Sequence, residues 1–209
     1  MTDRTDNFNR ADSSTLGTPS DAGSDWVAQT ASNAWGIVSN TARENGGANQ
    51  STAVLESSVA DVQVQSTLTV ISGDSGLVAR SVNDSNYILL AIRNAGTNRM
   101  QIFKRVAGSF TSLATYTTAV SAGVPFRLDT DSADLLAGYE NGTLRLSATD
   151  TAGSTNTQHG MRNGALTDTT GRWDDFSITE IGGAGGGATL LMFDPNLRGG
   201  LGGLRTGIQ

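Results

Sequence analysis

Asn141-Gly142 is the feature that most narrows the fold. A type I′ turn needs positive φ at both central residues, and Asn-Gly supplies this at little steric cost. Apolar residues alternate on either side of it. Leu135, Ala137 and Tyr139 precede the turn, and Leu144, Leu146 and Ala148 follow it. That is the period of half-buried antiparallel strands. The stretch 125–150, PFRLDTDSADLLAGYENGTLRLSATD, therefore reads as strand, acidic turn, strand, tight turn, strand.

Residues 61–71 carry the same period over a whole strand. Val62, Val64, Ser66, Leu68 and Val70 fall on one face, which the pattern predicts to point inward. Gln63, Gln65, Thr67 and Thr69 fall on the other, a surface of amides and hydroxyls that suits water or a sugar. Further strands are expected at 6–10 around Phe8, 26–30, 34–38, 51–55, 76–82, 87–93, 99–106, 110–118 and 173–178. A short one is expected at Gly160-Met161-Arg162. No segment has helical period. With 26 Gly and 3 Pro in 209 residues, the chain has the makings of many short strands joined by tight turns, a sandwich or barrel.

Charge and chemistry narrow the function. The net charge is −6, the sole lysine is Lys104 and the arginines are scattered, so no phosphate-tracking surface is expected. No apolar run approaches the roughly 18 residues of a membrane-spanning helix. The start, MTDRTDNFNR, lacks an apolar core segment, so no signal peptide is expected. The absence of cysteine excludes disulfides and thiolate chemistry and favours assembly in a reducing cytoplasm.

Asp129, Asp131 and Asp134 are a weak candidate for Ca2+, which takes clustered oxygens. The commoner reading is a solvated turn in which Asp bonds its own backbone. No cofactor is otherwise expected. His159, the single histidine, has no nucleophile-elbow motif to serve and reads as structural. Asp174 and Asp175 read likewise, and Trp26, Trp35 and Trp173 read as core.

Composition breaks at Gly182. Residues 182–188 read as a Gly-rich linker and 189–209 as a C-terminal arm. The arm is too short for its own core, and its apolar run would be an aggregation liability in water. Leu190, Leu191, Met192, Phe193, Pro195, Leu197, Leu201 and Leu204 are therefore expected to dock on a partner subunit or on neighbouring copies.

A family resemblance lies in an ordered set of short pieces. They are DNFNRADSSTLG at 6–17, Trp26, WGI at 35–37, GLVAR at 76–80, NYILL at 86–90, ENG at 140–142, HGMR at 159–162 and WDDF at 173–176. In this order residues 6–181 resemble the concanavalin A-like lectin and glucanase jelly rolls, the LamG-like modules above all. The resemblance implies an all-β, antiparallel two-sheet sandwich over 1–181 whose first and last strands lie side by side, bringing Phe8 near Phe176. It does not fix an activity. A glucanase of this kind would carry a Glu-x-Asp-x-Glu strand, and this chain has none. The expected function is therefore non-enzymatic. The chain reads as a structural or accessory component of the surface of a phage or phage-like particle, such as a decoration, spike or tail-associated protein. It would display a lectin-like domain, anchor it to other virion proteins or to its own copies through the arm, and bind host glycans at residues not assigned here. The alternative is a free carbohydrate-binding module; a glycoside hydrolase ranks third.

Overall fold

The computed structural model describes residues 3–29, 35–46, 51–164 and 170–181. Among them there is no helix. Two antiparallel sheets pack face to face as a jelly-roll sandwich. The eight-stranded sheet runs β13 (Thr143–Thr149), β12 (Leu135–Glu140), β11 (Pro125–Thr130), β6 (Val62–Val70), β15 (Arg172–Glu180), β4 (Thr41–Glu44), β3 (Trp35–Val38), with β1 (Arg4–Asp6) also on β15. The seven-stranded sheet runs β10 (Ser109–Tyr116), β9 (Met100–Val106), β8 (Asn86–Ile92), β7 (Ser75–Asn83), β14 (Gln158–Asn163), β5 (Ser51–Glu56), β2 (Val27–Ala28).

The alternation on β6 holds: Val62, Val64, Ser66 and Leu68 are buried against the opposite sheet, and Gln63 and Gln65 look outward. The last member departs from the expectation. Val70 is 41% exposed, because β15 slips register between Arg172 and Trp173 where the two strands part. Asn141 and Gly142 adopt φ of 47° and 74°, the positive pair that the turn requires. The strand before the turn is inverted relative to the pattern. Leu136 and Gly138 face the core, while Leu135 is exposed and Tyr139 half-exposed. Unbroken pairing with β11 sets this phase, Gly138 opposite Leu128 and Leu136 opposite Thr130, and the irregularity falls on β13, where Arg145 is the extra residue between Leu144 and Leu146. The core accepts it because Gly138 lies against Leu146 and against Leu90 of the other sheet.

Three strands differ from expectation. β1 is Arg4–Asp6, not 6–10, and Phe8 beyond it sits at φ 49°. β4 goes unseen in the sequence because its hairpin turns on Ser39-Asn40, at φ 52° and 59°, rather than on a glycine. The stretch around Met161 is no minor strand. β14 lies at the centre of its sheet between β7 and β5.

The first and last strands do pair, Asp6 opposite Phe176. Phe8 and Phe176 bracket one ring, Trp26, at centroid distances of 6.0 and 4.8 Å. The buried Asp6 carboxylate ties this end together. Trp26 Nε1 donates to it at 2.8 Å, Arg10 donates through both terminal nitrogens at 2.7 and 2.9 Å, and the Phe8 amide donates at 3.0 Å. A buried carboxylate is tolerated when its oxygens are filled in this way.

Gly160 on β14 admits no side chain. A Cβ there would lie 1.9 Å from the carbonyl oxygen of Ala53, which is backbone and cannot yield. Gly160→Ala should therefore cost about 3 kcal/mol or more in denaturant unfolding of the full chain, at the upper end of overpacking losses. Gly142→Ala meets open space and only the positive-φ penalty, so it should cost about 1 kcal/mol. The reverse ranking would contradict this packing.

Candidate functional site

The residues singled out in the sequence do not converge. Asp129 faces outward from β11 and takes a hydrogen bond from Arg127 Nη2 at 3.1 Å. Asp131 turns back on its own loop, accepting from the amides of Ala133 and Leu135 at 2.9 Å each. Asp134 lies 3.4 Å from Arg80. Among the described residues, no three His, Cys, Asp or Glu side chains gather as a metal ion requires. His159 is fully buried on the inner face of β14. Its Nδ1 accepts the Arg80 amide at 3.2 Å, which leaves Nε2 to donate to the Val59 carbonyl at 2.9 Å. Asp175 occupies a bulge at φ 48° on β15. All three tryptophans are buried. The expected docking residues, Leu190 to Leu204, lie outside the described residues.

The outer face of the seven-stranded sheet holds what the sequence pattern did not single out. β8 buries both of its rows. Ile88, Leu90 and Ile92 enter the sandwich core, and Tyr87, Leu89 and Ala91 form a second apolar cluster outside it with Val78 and Phe103. Phe110 of β10 stacks edge-on to Phe103 and Tyr87, with centroids 5.7 and 6.3 Å away. Guanidinium groups lie over these rings. Arg105 is 4.9 Å from the centroid of Phe110 and 5.6 Å from that of Tyr87, Arg93 is 5.7 Å from Phe103, and Arg162 is 5.3 Å from Phe110.

The last contact reveals the shape. Arg162 belongs to β14 and Phe110 to β10, with β9, β8 and β7 between them. Four strand spacings in a flat sheet come to about 19 Å, more than the two side chains can bridge. The sheet must curl, and its outer face is a trough. Two cavities lie along it. One of about 170 Å³ is lined by Asp74, Leu89, Arg93, Phe103, Phe110 and Arg162. The other, of about 320 Å³, is walled in part by Tyr87, Arg105, Asn86 and Asn156.

This architecture is found among known proteins. A carbohydrate-binding module, CBM66 from Bacillus subtilis, matches with a TM-score of 0.54 at 18% identity, over 74% of this chain and 92% of its own. The exoplasmic/lumenal domain of VIP36, in its Ca2+/Man2-bound form, matches at 0.53 and 12%, over 80% and 86%. A β-glucanase of Bacillus licheniformis matches at 0.52 and 12%, over 87% and 99%. The fold is the lectin and glucanase jelly roll. No protein-family model matches the sequence, and no curated protein matches it by sequence.

The charges of the two outer faces differ. On the eight-stranded sheet Arg127 stacks 4.0 Å from the Tyr139 centroid and is ion-paired with Asp129, so that surface is internally neutralised. In the trough, Arg93 takes the Asp74 carboxylate and the Gln101 amide oxygen. Among the described residues, the partners of Arg105 are the carbonyls of Gly108 at 3.2 Å and Asp84, and the Tyr87 hydroxyl at 3.1 Å. Burial, the largest influence, lowers the pKa of Arg162 from its ordinary value, while Tyr87 and Asp74 oppose the shift. The available signal was the row Tyr87, Leu89, Ala91: a strand apolar on both faces, at the middle of a sheet with no third layer, is covering something other than core.

Two buried groups contribute opposite slopes to the pH response of the fold. Burial pushes Glu44 up to about 7, against the Asn163 amide and the Arg162 charge, which pull it down. Burial also pushes His159 down to about 4. Between about 4.5 and 7 the native state holds the Glu44 proton that the unfolded chain has released, so this group makes stability fall as pH rises. Between about 4 and 6.5 the unfolded chain holds the His159 proton that the native state refuses, so this group makes stability rise with pH. The two oppose each other where they overlap. Glu44→Gln should remove the loss above pH 6 and leave the acid limb in place, read from urea midpoints between pH 4 and 8. An unchanged alkaline slope in that variant would rule out Glu44 as its source.

Proposed function

We propose that the chain is a non-catalytic glycan-binding module that holds sugar in the trough of its seven-stranded sheet. The observation that carries this reading is the second apolar cluster outside the core, ringed by arginines and open to solvent through two cavities. Apolar rings beside charged and amide groups suit a sugar, which offers C–H surface on one side and hydroxyls at its edge. The structural neighbours support the reading, since one is named as a carbohydrate-binding module and another was solved with Man2 bound. The non-catalytic part rests on the lining. Glycoside hydrolysis uses two carboxylates facing each other across the bond. The smaller cavity presents one, Asp74, and Arg93 already holds it.

A glycan array probed with the full chain should give hits, and Phe103→Ala with Arg105→Ala should weaken them at least about tenfold, or about 1.4 kcal/mol. An array silent even to a multivalent form, or affinity unmoved by the double substitution, would refute the site. Release of reducing ends from a bound polysaccharide, abolished by Asp74→Asn, would instead make it an enzyme.

A second reading sets the module on a larger assembly. Its support is the sequence pattern of 182–209, a glycine-rich link followed by Leu190, Leu191, Met192 and Phe193. Such an arm fits anchorage on a phage-like particle, where many copies would multiply a weak affinity at each site. Removing 189–209 should leave the melting temperature of the domain unchanged and abolish co-sedimentation with the assembly. Normal incorporation of the truncated chain would exclude the anchor.

A further inference from the structure

Among the described residues, the trough contains a buried cation with no ion-pair partner. Two arginines rank among the largest fully buried side chains, and their surroundings differ. Arg80 lies 3.4 Å from both Asp61 and Asp134 and donates to the Asp131 carbonyl at 2.7 Å. Arg162 is 2% exposed, yet among the described residues no carboxylate stands within ion-pair distance of it. Its Nη1 reaches the Asp74 carbonyl at 3.4 Å and Tyr87 is a further hydrogen-bond partner, while its Nε has none among the described residues. The one carboxylate in the cavity wall is held by Arg93. Gly164 leaves the room this guanidinium occupies, since a Cβ there would fall 2.2 Å from Nη1.

A buried cation whose acidic neighbours, Asp74 and Glu44, stand beyond ion-pair distance is a costly arrangement, and an incoming anion relieves it. The guanidinium edge is shaped for a planar or tetrahedral oxyanion, which it binds through paired N–H groups. Arg105, over the same Phe110 ring and also without a carboxylate, adds a second positive group beside the cavity. All this occurs in a chain of net charge −6.

We infer that the ligand is an acidic glycan, whose anionic substituent is received by Arg162 in the cavity bounded by Asp74, Leu89, Arg93, Phe103 and Phe110, while its ring lies along the aromatic wall. This rests on the glycan-binding reading above and narrows it to a substrate class. The anion is a carboxylate of a uronic or similar acid, or a sulfate ester; both present oxygens that suit the same fork.

The test is calorimetric titration of the full chain with an oligoglucuronate, with the same oligosaccharide after carboxyl reduction to the neutral sugar, and with a sulfated neutral oligosaccharide. The oligoglucuronate should bind at least about tenfold more tightly than its reduced form, and the difference should shrink as NaCl rises from 50 to 500 mM. Arg162→Met should erase the preference, so that the acidic and reduced sugars bind the variant equally. Should that variant fail to fold, Phe110→Ala, at a half-exposed edge-strand position, frees the ring that both guanidiniums face and should reduce the preference several-fold. Preference for the sulfated sugar alone supports the same site with sulfate as the anion. Equal binding of the acidic and reduced sugars overturns the inference and leaves the glycan-binding reading standing. Silence towards all three sugars and towards a broad array overturns both. Inorganic sulfate bound as tightly as the sulfated sugar overturns the glycan assignment in favour of a simple anion site.

Discussion

The pleat of a β-strand sends successive side chains to opposite faces, and every feature of this protein that matters follows from that rule meeting a sheet with only one covered side. On β14 the rule sends His159 and Met161 into the sandwich and Arg162 out of it. On β8 it sends Ile88, Leu90 and Ile92 inward and Tyr87, Leu89 and Ala91 outward. A flat sheet would leave the outward row as a greasy patch in water. Curling lets Arg162 and Phe110 meet from strands four places apart, so the outer side chains bury one another and leave cavities between them. The trough is thus a consequence of the seven-stranded sheet's curvature and of side-chain length, and it needs no inserted loop.

The opposite sheet does the holding. Its long strands β6 and β15 pair along most of their length, and β1 completes the edge over Trp26. Asp6 makes this closure specific: its two oxygens accept from the Phe8 amide and Arg10 guanidinium of the adjoining turn and from the distant Trp26 indole. Charge-assisted bonds to a buried carboxylate are stronger than neutral ones, and losing any partner leaves the anion exposed to an apolar surround.

How much of this could be read in the sequence depends on how local the signal was. Asn141-Gly142 announces its turn because two adjacent residues supply both positive φ values. The β6 row announces itself because one face is water and the other core. β4 was silent because Ser39-Asn40 makes the same turn without glycine. β14 was nearly silent because its inner row is His159, Met161 and Asn163, whose polar members are satisfied by distant partners: Val59 for the histidine and Glu44 for the asparagine. The phase of β12 is hidden because Leu135, Leu136 and Ala137 are apolar in succession, so only the pairing with β11 fixes which row faces inward. The trough draws on residues from Asp74 to Arg162 across five segments, so no window of sequence contains it.

Arg162 is also where local preference and the fold disagree most. Ion pairs answer Arg4, Arg10, Arg80, Arg93, Arg127 and Arg145 within the chain itself. A sequence shaped for stability alone would give position 162 an apolar residue, since replacing a buried unpaired charge by hydrocarbon of similar volume usually stabilises. Folds tolerate such conflicts mainly where a ligand resolves them. The misfit at Arg162 therefore has direction: it names the sign of the charge that is wanted, the face from which it must arrive and the rings against which its carrier will lie. The surroundings strengthen that reading, because an anion that enters the trough meets the guanidiniums of Arg93, Arg105 and Arg162 and, among the described residues of the smaller cavity, a single carboxylate already paired with Arg93.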